Sequence, residues 1–368
     1  MRMKKVRICF FIGNMSHSGG TERVLSTVAN GLSKRGYGVS VISLWGKGPA
    51  FFPLKEEVGL YWLQEKVRSF DVAGQLACLY GVLQKEKPDF WVDVDSILAL
   101  YSVFLKIGRP RLCWVSWEHF SCRHHFRKNR LLRMLAKRIV CRFADWLVVL
   151  TDADRNYYKR HGKLNCRVAR IYNPLPYAGA FSKKTERPVI LAVGRLTHVK
   201  GYDLLLRSWK LLESKYPQWS VLVVGEGEDK KKLERQRRDA GLTSLHFTGK
   251  RQRVEKYYEK ASFLVLPSRV EGFGMVLIEA MHYALPVVSF SCESGPKEIV
   301  EDGENGFLAA PGDVAGFAGR MERLMKSKDL RRRMGENAKK SAARFDTDVI
   351  LDQWERLFRE SIAQHMKK

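Results

Sequence analysis

Short apolar, β-branched runs alternate along the chain with stretches of helical period, which predicts βα units built around parallel sheets. Two such series are present. The first comprises Val6 to Ile12, Val39 to Leu44, Phe90 to Val92, Leu112 to Ser116 and Trp146 to Leu150. The second comprises Val189 to Val193, Val221 to Val224, Leu245 to Phe247, Phe263 to Leu266 and Val287 to Phe290. Between them, Asn173-Pro-Leu-Pro176 and the polar segment Ser182 to Pro188 mark an exposed hinge. The reading is of two doubly wound α/β domains, 1–175 and 176–345, with a ligand cleft at the carboxyl ends of both sheets. From Asp329 onward the period is helical, with Trp354, Leu357, Phe358 and Ile362 spaced as one apolar face, and residues 346–368 form a terminal helix.

Composition narrows this further. The chain has 368 residues, 45% of them apolar, so disorder and a small disulfide scaffold are both excluded. Its 65 Lys and Arg against 39 Asp and Glu give a net charge of +26, which calls for an anionic partner. Seven scattered cysteines without a C-x-x-C pair fit a reducing, cytoplasmic setting. The start resembles a signal peptide, with Lys4, Lys5 and Arg7 around an apolar run, but that run is too short and lacks a cleavage site. No spanning helix is expected, so membrane contact would be peripheral.

Three segments carry candidate chemistry. After the first predicted strand, Gly13 to Val24 forms a glycine-bearing loop opening a helix, with Thr21 as the expected N-cap and Gly19 and Gly20 beside it. It lacks P-loop and G-x-G-x-x-G spacing, and taken alone it is better explained as a tight strand-to-helix turn. After Val189 to Val193, Gly194 to Gly201 places Arg195 and Lys200 where a diphosphate could be neutralised, though a solvated basic turn would look the same. The third is Pro267-Ser-Arg-Val-Glu271-Gly-Phe-Gly-Met-Val-Leu-Ile-Glu279. Here the N–H groups of Phe273, Gly274 and Met275 can meet an anion at a helix start, and Glu279 shares a helix face with Met275.

In order and spacing, Ser18 to Val24, Gly194-Arg-Leu-x3-Lys-Gly201, Glu271-x7-Glu279 and Asp302 to Leu308 resemble the retaining glycosyltransferases of family 4 (GT4), over nearly the whole chain. The resemblance implies GT-B architecture, with the terminal helix crossing back to an N-terminal acceptor domain. It implies a nucleotide-sugar donor, a UDP-sugar by family expectation, and neither metal nor other cofactor. Arg195 and Lys200 would neutralise the diphosphate, Glu279 would hold the ribose, Glu271 the sugar hydroxyls, and the base would lie near Lys250. Gly19 and Gly20 would close on the donor, and His119 matches a histidine placed beside the sugar. A zinc cluster of His119, Cys122, His124 and His125 is weighed and not expected.

Glu118 to Asp145 encloses no acidic residue, and Arg123, Arg127, Arg130, Lys137 and Arg138 accumulate there among Phe126, Leu131, Leu132, Leu135 and Ile139. That pattern predicts an amphipathic basic helix on an anionic bilayer, or alternatively a core-packed stripe with a solvated face. The resemblance is greatest to bacterial transferases that extend lipid-linked oligosaccharides. It implies a polyprenyl-diphosphate-linked or other glycan acceptor at the cytoplasmic face of the inner membrane, in polysaccharide or lipopolysaccharide assembly. A sugar-nucleotide epimerase of the same architecture is the nearest rival. Nucleic acid is not an expected partner, because no nucleic-acid motif accompanies the charge.

Overall fold

In the computed structural model, residues 5–64, 71–122, 129–177, 187–251 and 253–365 are described. They fold into two compact units, one made of residues 1–176 and 345–368, the other of 177–344.

The first unit is a seven-stranded sheet of β1 (Arg7–Asn14), β2 (Gly38–Trp45), β3 (Gly59–Gln64), β4 (Phe90–Val94), β5 (Cys113–Trp117), β6 (Trp146–Val149) and β7 (Arg167–Arg170). The order is β3-β2-β1-β4-β5-β6-β7, and every ladder is parallel. In the register, Ile8 pairs with Val39 on one side and Phe90 on the other. The second unit holds β8 (Val189–Val193), β9 (Ser220–Val224), β10 (Leu245–Gly249), β11 (Phe263–Leu266), β12 (Val287–Phe290) and β13 (Gly306–Ala309), ordered β10-β9-β8-β11-β12-β13. These ladders too are parallel. In each sheet the chain winds outward from its first strand and then reverses, so a crevice opens beyond the carboxyl ends of β1 and β4, and of β8 and β11.

Helices on both faces bury the apolar runs. In the first unit Trp91 and Trp114 are fully buried beside Asp93, which accepts from Trp91 Nε1 at 2.9 Å and Trp114 Nε1 at 2.7 Å, with Ser102 Oγ as a third donor. Burial lifts the Asp93 carboxyl to about 7, and the three hydrogen bonds oppose that rise.

The last helix, Thr347–His365, belongs to the first unit. Trp354 meets Trp117 edge-on at 4.9 Å and Phe358 lies 4.5 Å from Phe90, while Arg35 binds Asp352 at 2.6 Å, Asp348 at 3.0 Å and Glu355 at 3.1 Å. Trp354, Leu357 and Phe358 are buried as the period predicts. Ile362 is instead exposed at the edge of that face, while Ser361 beside it is buried and accepts from Trp146 Nε1 at 2.8 Å.

Candidate functional site

The second unit assembles its site at the β8/β11 crevice. Beyond β8, the short 3-10 turn His198–Lys200 ends at Gly201, whose φ of +68° is left-handed. A Cβ there would lie 1.9 Å from the Pro267 carbonyl oxygen, so only glycine lets the Lys200 turn close onto the loop after β11. Across that contact Lys200 Nζ donates to Glu271 Oε1 at 2.6 Å, and Ser268 Oγ donates to the same oxygen at 2.6 Å. Glu271 is buried, at 6% exposure, and its Oε2 has no hydrogen-bond partner among the described residues. Burial, with the Glu271 charge adding, pushes the Cys292 thiol up to about 12 and raises the Tyr202 phenol, so both stay neutral beside the carboxylate.

Gly274 caps the helix Met275–His282 at φ +98° and no side chain caps it, so the N–H groups of Met275 and Val276 remain available to an anion, while that of Leu277 donates to the Gly274 carbonyl at 2.9 Å. Phe273 is buried under this start. Its carbonyl oxygen would lie 2.4 Å from a Cβ on Gly295, where φ is +83°. Glu279, one turn along, is buried and accepts from Tyr258 Oη at 2.9 Å, and the Tyr258 ring stacks on Tyr283 at 5.4 Å. Arg195 is exposed and has no side-chain partner among the described residues. Lys250, just past β10, is exposed.

The expected set therefore divides: Lys200 and Glu271 touch, and Glu279 is oriented by a tyrosine. Sequence reasoning missed Tyr258 and Ser268. Ser268 had a signal in the Ser-x-x-Glu spacing of the loop, whereas Tyr258 comes from a separate helix, Glu255–Lys260, with nothing in the sequence to pair it with Glu279.

In the first unit the loop after β1 leads into the helix Gly20–Lys34, whose N-cap is Gly19 and not Thr21. No side chain caps it; a Cβ on Gly19 would meet Glu22 Oε2 at 2.4 Å, so the first-turn carboxylate itself folds back over the helix start. Gly20 is exposed. His119, just after β5, is buried with its ring 4.5 Å from Trp117, and its Nε2 has no hydrogen-bond partner. Burial depresses it to about 3, so the imidazole is neutral near pH 7. Its turn is fixed on either side. Glu118 accepts from Ser96 Oγ and from the Phe120 N–H at 3.0 Å, while Asp154 accepts from the Cys122 N–H at 2.9 Å.

The basic helix runs Arg130–Phe143. Arg123 and Arg127 lie outside the described residues, as do His124 and His125. Arg130, Arg138 and Arg142 are exposed, and so are Leu131, Leu132, Met134 and Leu135, while Ile139 of the apolar stripe packs against the core. Ala136 and Val140 form the buried side. Lys137 departs from the expected outward set: its Nζ turns inward to 3.9 Å from Glu118. One turn earlier Arg133 forks Asp95 with two bonds of 2.9 Å. Two acids at the ends of β4 and β5 therefore draw in two of the helix's cations and seat it. Among the described residues no group of three or more His, Cys, Asp or Glu could hold a metal ion, and no helix is long and apolar enough to cross a membrane.

Comparison with known proteins bears on this arrangement. Residues 18–177 match the model described as Glycosyltransferase Family 4, and residues 178–341 match that of Glycosyl transferases group 1. An uncharacterized glycosyltransferase of Haemophilus influenzae is 34% identical over 361 residues, covering 96% of this chain and 99% of its own. From Campylobacter jejuni, the GalNAc-alpha-(1->4)-GalNAc-alpha-(1->3)-diNAcBac-PP-undecaprenol alpha-1,4-N-acetyl-D-galactosaminyltransferase is 29% identical, over 96% of this chain and 99% of its own. In fold, HepE of Anabaena, solved in complex with UDP and glucose, superposes with a TM-score of 0.79 at 21% identity, over 95% of this chain and 99% of that one. Two doubly wound parallel sheets, a terminal helix returned to the first, and relatives aligned from end to end have one common reading: the chain belongs to glycosyltransferase family 4 and has the GT-B fold.

Proposed function

We propose that the protein transfers a sugar, with retention at the anomeric carbon, from a UDP-sugar to a polyprenyl-diphosphate-linked glycan in bacterial surface-polysaccharide or oligosaccharide assembly. The observation that carries this reading is the Lys200–Glu271 pair in the β8/β11 crevice, a cation and a buried carboxylate beside an uncapped helix start. Arg195, Lys200 and the N–H groups of Gly274 and Met275 would meet the leaving diphosphate. Glu279 would take the ribose hydroxyls, Glu271 the sugar hydroxyls, and the loop by Lys250 the base. From the first unit, Gly19, Gly20 and neutral His119 would serve the donor and the reacting sugar. The acceptor hydroxyl attacks the face the diphosphate leaves, the C1–O bond to the diphosphate breaks, and the departing phosphate oxygen takes the proton. Charge developing on that oxygen is stabilised by the two cations, so no metal is called for.

The acceptor assignment takes its support from the Campylobacter relative's name and from the helix Arg130–Phe143. A row of exposed leucines running into Arg138 and Arg142 fits the interface of an anionic bilayer. Reversing Arg130, Arg138 and Arg142 to Glu is expected to lower binding to phosphatidylglycerol vesicles by at least about 100-fold, since the loss of three cations at ~1 kcal/mol each already accounts for that and the new carboxylates are repelled. Undiminished co-sedimentation would remove the membrane from the proposal.

Transfer is tested by incubating the protein in EDTA with labelled UDP-glucose, UDP-galactose, their N-acetyl forms or GDP-mannose, plus a polyprenol-linked lipid extract. Label should enter the lipid fraction from one donor, with the α-anomer retained. Turnover of a UDP-sugar to its epimer without lipid would instead favour the epimerase, and inversion would discard the retaining mechanism.

A further inference from the structure

We propose that Glu271 and the donor's diphosphate compete for Lys200, and that an arriving nucleoside diphosphate takes Lys200 over from its bond to Glu271 and thereby frees Glu271 for the sugar. The inference deepens the donor-site reading above and rests on it.

Its basis is the way Glu271 is held. Both of its bonds, from Lys200 and Ser268, fall on Oε1, and the ion pair is mostly withdrawn from water, with side-chain exposures of 30% for Lys200 and 6% for Glu271. Lys200 has three protons to donate and commits one to this short contact. Its turn packs closely on the loop after β11, through Gly201 against Pro267 and the Arg269 N–H donating to the Val199 carbonyl at 2.8 Å. The side chain alone, four methylenes long, can therefore carry the ammonium from the carboxylate to a phosphate without any loop moving. Arg195, exposed and without a side-chain partner among the described residues, would meet the diphosphate first. When Lys200 leaves, Glu271 keeps Ser268 and loses its counter-ion, a costly state for a buried carboxylate unless new donors arrive. Sugar hydroxyls are such donors, so a nucleotide without its sugar bears a penalty that the full donor does not.

Removing the Glu271 charge should then strengthen binding of the bare nucleotide. The experiment is calorimetry with UDP, repeated with GDP and ADP, on wild type, Glu271→Gln, Lys200→Met and the double variant, with melting curves to confirm folding and Glu271→Ala in reserve. Glu271→Gln is expected to bind UDP about three- to tenfold more tightly, and Lys200→Met about tenfold or more weakly. In the double variant the gain from Glu271→Gln should vanish, because there is no ammonium left to release. If Glu271→Gln binds equally or more weakly while Lys200→Met weakens, Glu271 is not in the diphosphate's place and the exchange is wrong, though the donor site stands. If Lys200→Met has no effect, or no nucleotide binds to folded wild type, the donor-site reading fails and takes the exchange with it.

Discussion

Replacing Glu279 by Ala is expected to weaken nucleoside diphosphate binding by roughly 10- to 100-fold, the loss of about 1.5–3 kcal/mol that hydrogen bonds to a charged acceptor contribute. Glu279 is buried at 5% exposure on the helix that opens the crevice, and a carboxylate is an acceptor suited to vicinal hydroxyls. Tyr258 fixes which way it points, through a 2.9 Å bond from a fully buried ring. Tyr258→Phe keeps the stacking on Tyr283 and deletes only that bond, so a smaller loss, about two- to tenfold, should follow. Calorimetry with UDP measures both. Equal affinity for wild type and Glu279→Ala would remove Glu279 from the nucleotide site, and equal affinity for Tyr258→Phe would show that packing alone orients the carboxylate.

The largest stability effect is expected at Trp354. Its side chain is wholly buried between Trp117 and Phe358, and truncation to Ala removes that contact area and leaves a cavity, at about 3–5 kcal/mol. For a unit of this size the melting temperature should fall by about 6–20 °C. Circular dichroism or calorimetry reads this directly, and the first unit's transition should move while that of the second keeps its midpoint. A shift below about 2 °C would mean that the terminal helix is a surface appendage.

Nine of the ten legible strands are largely buried on both faces and therefore appear as apolar runs, while the tenth, β10, lies at a sheet edge with only Leu245 buried. The three that were not, β3, β7 and β13, all lie at sheet edges. β3 is half-buried throughout and β7 reads Arg-Val-Ala-Arg, so neither has the continuous run that burial on both faces imposes. β13 begins with glycine and reads Gly-Phe-Leu-Ala, without the β-branched residues that mark the other strands of its length. Much of the candidate site was legible for another reason: its residues sit in loops directly after strands, where spacing along the chain fixes spacing in the crevice. Tyr258 and the Arg133–Asp95 fork were not, since each joins residues far apart in sequence. Lys137 was misjudged because a helical wheel gives the angle of a side chain and not what waits on the other side. Two acids at strand ends outweighed solvent.

The first unit is written in two pieces, with all 168 residues of 177–344 between them. During synthesis the second unit has all of its residues before the first has its closing helix. Until residues 345–368 emerge, Trp117, Phe90 and the face beneath Trp354 stay open to water, a sticky surface on a nascent chain. A stop codon or proteolytic cut a few turns from the carboxyl terminus should therefore disable the half of the molecule that was made first. Whatever quality control acts on this protein would find its exposed seam where residues 345–368 are missing, on a sheet whose strands had been waiting since before the second unit was made.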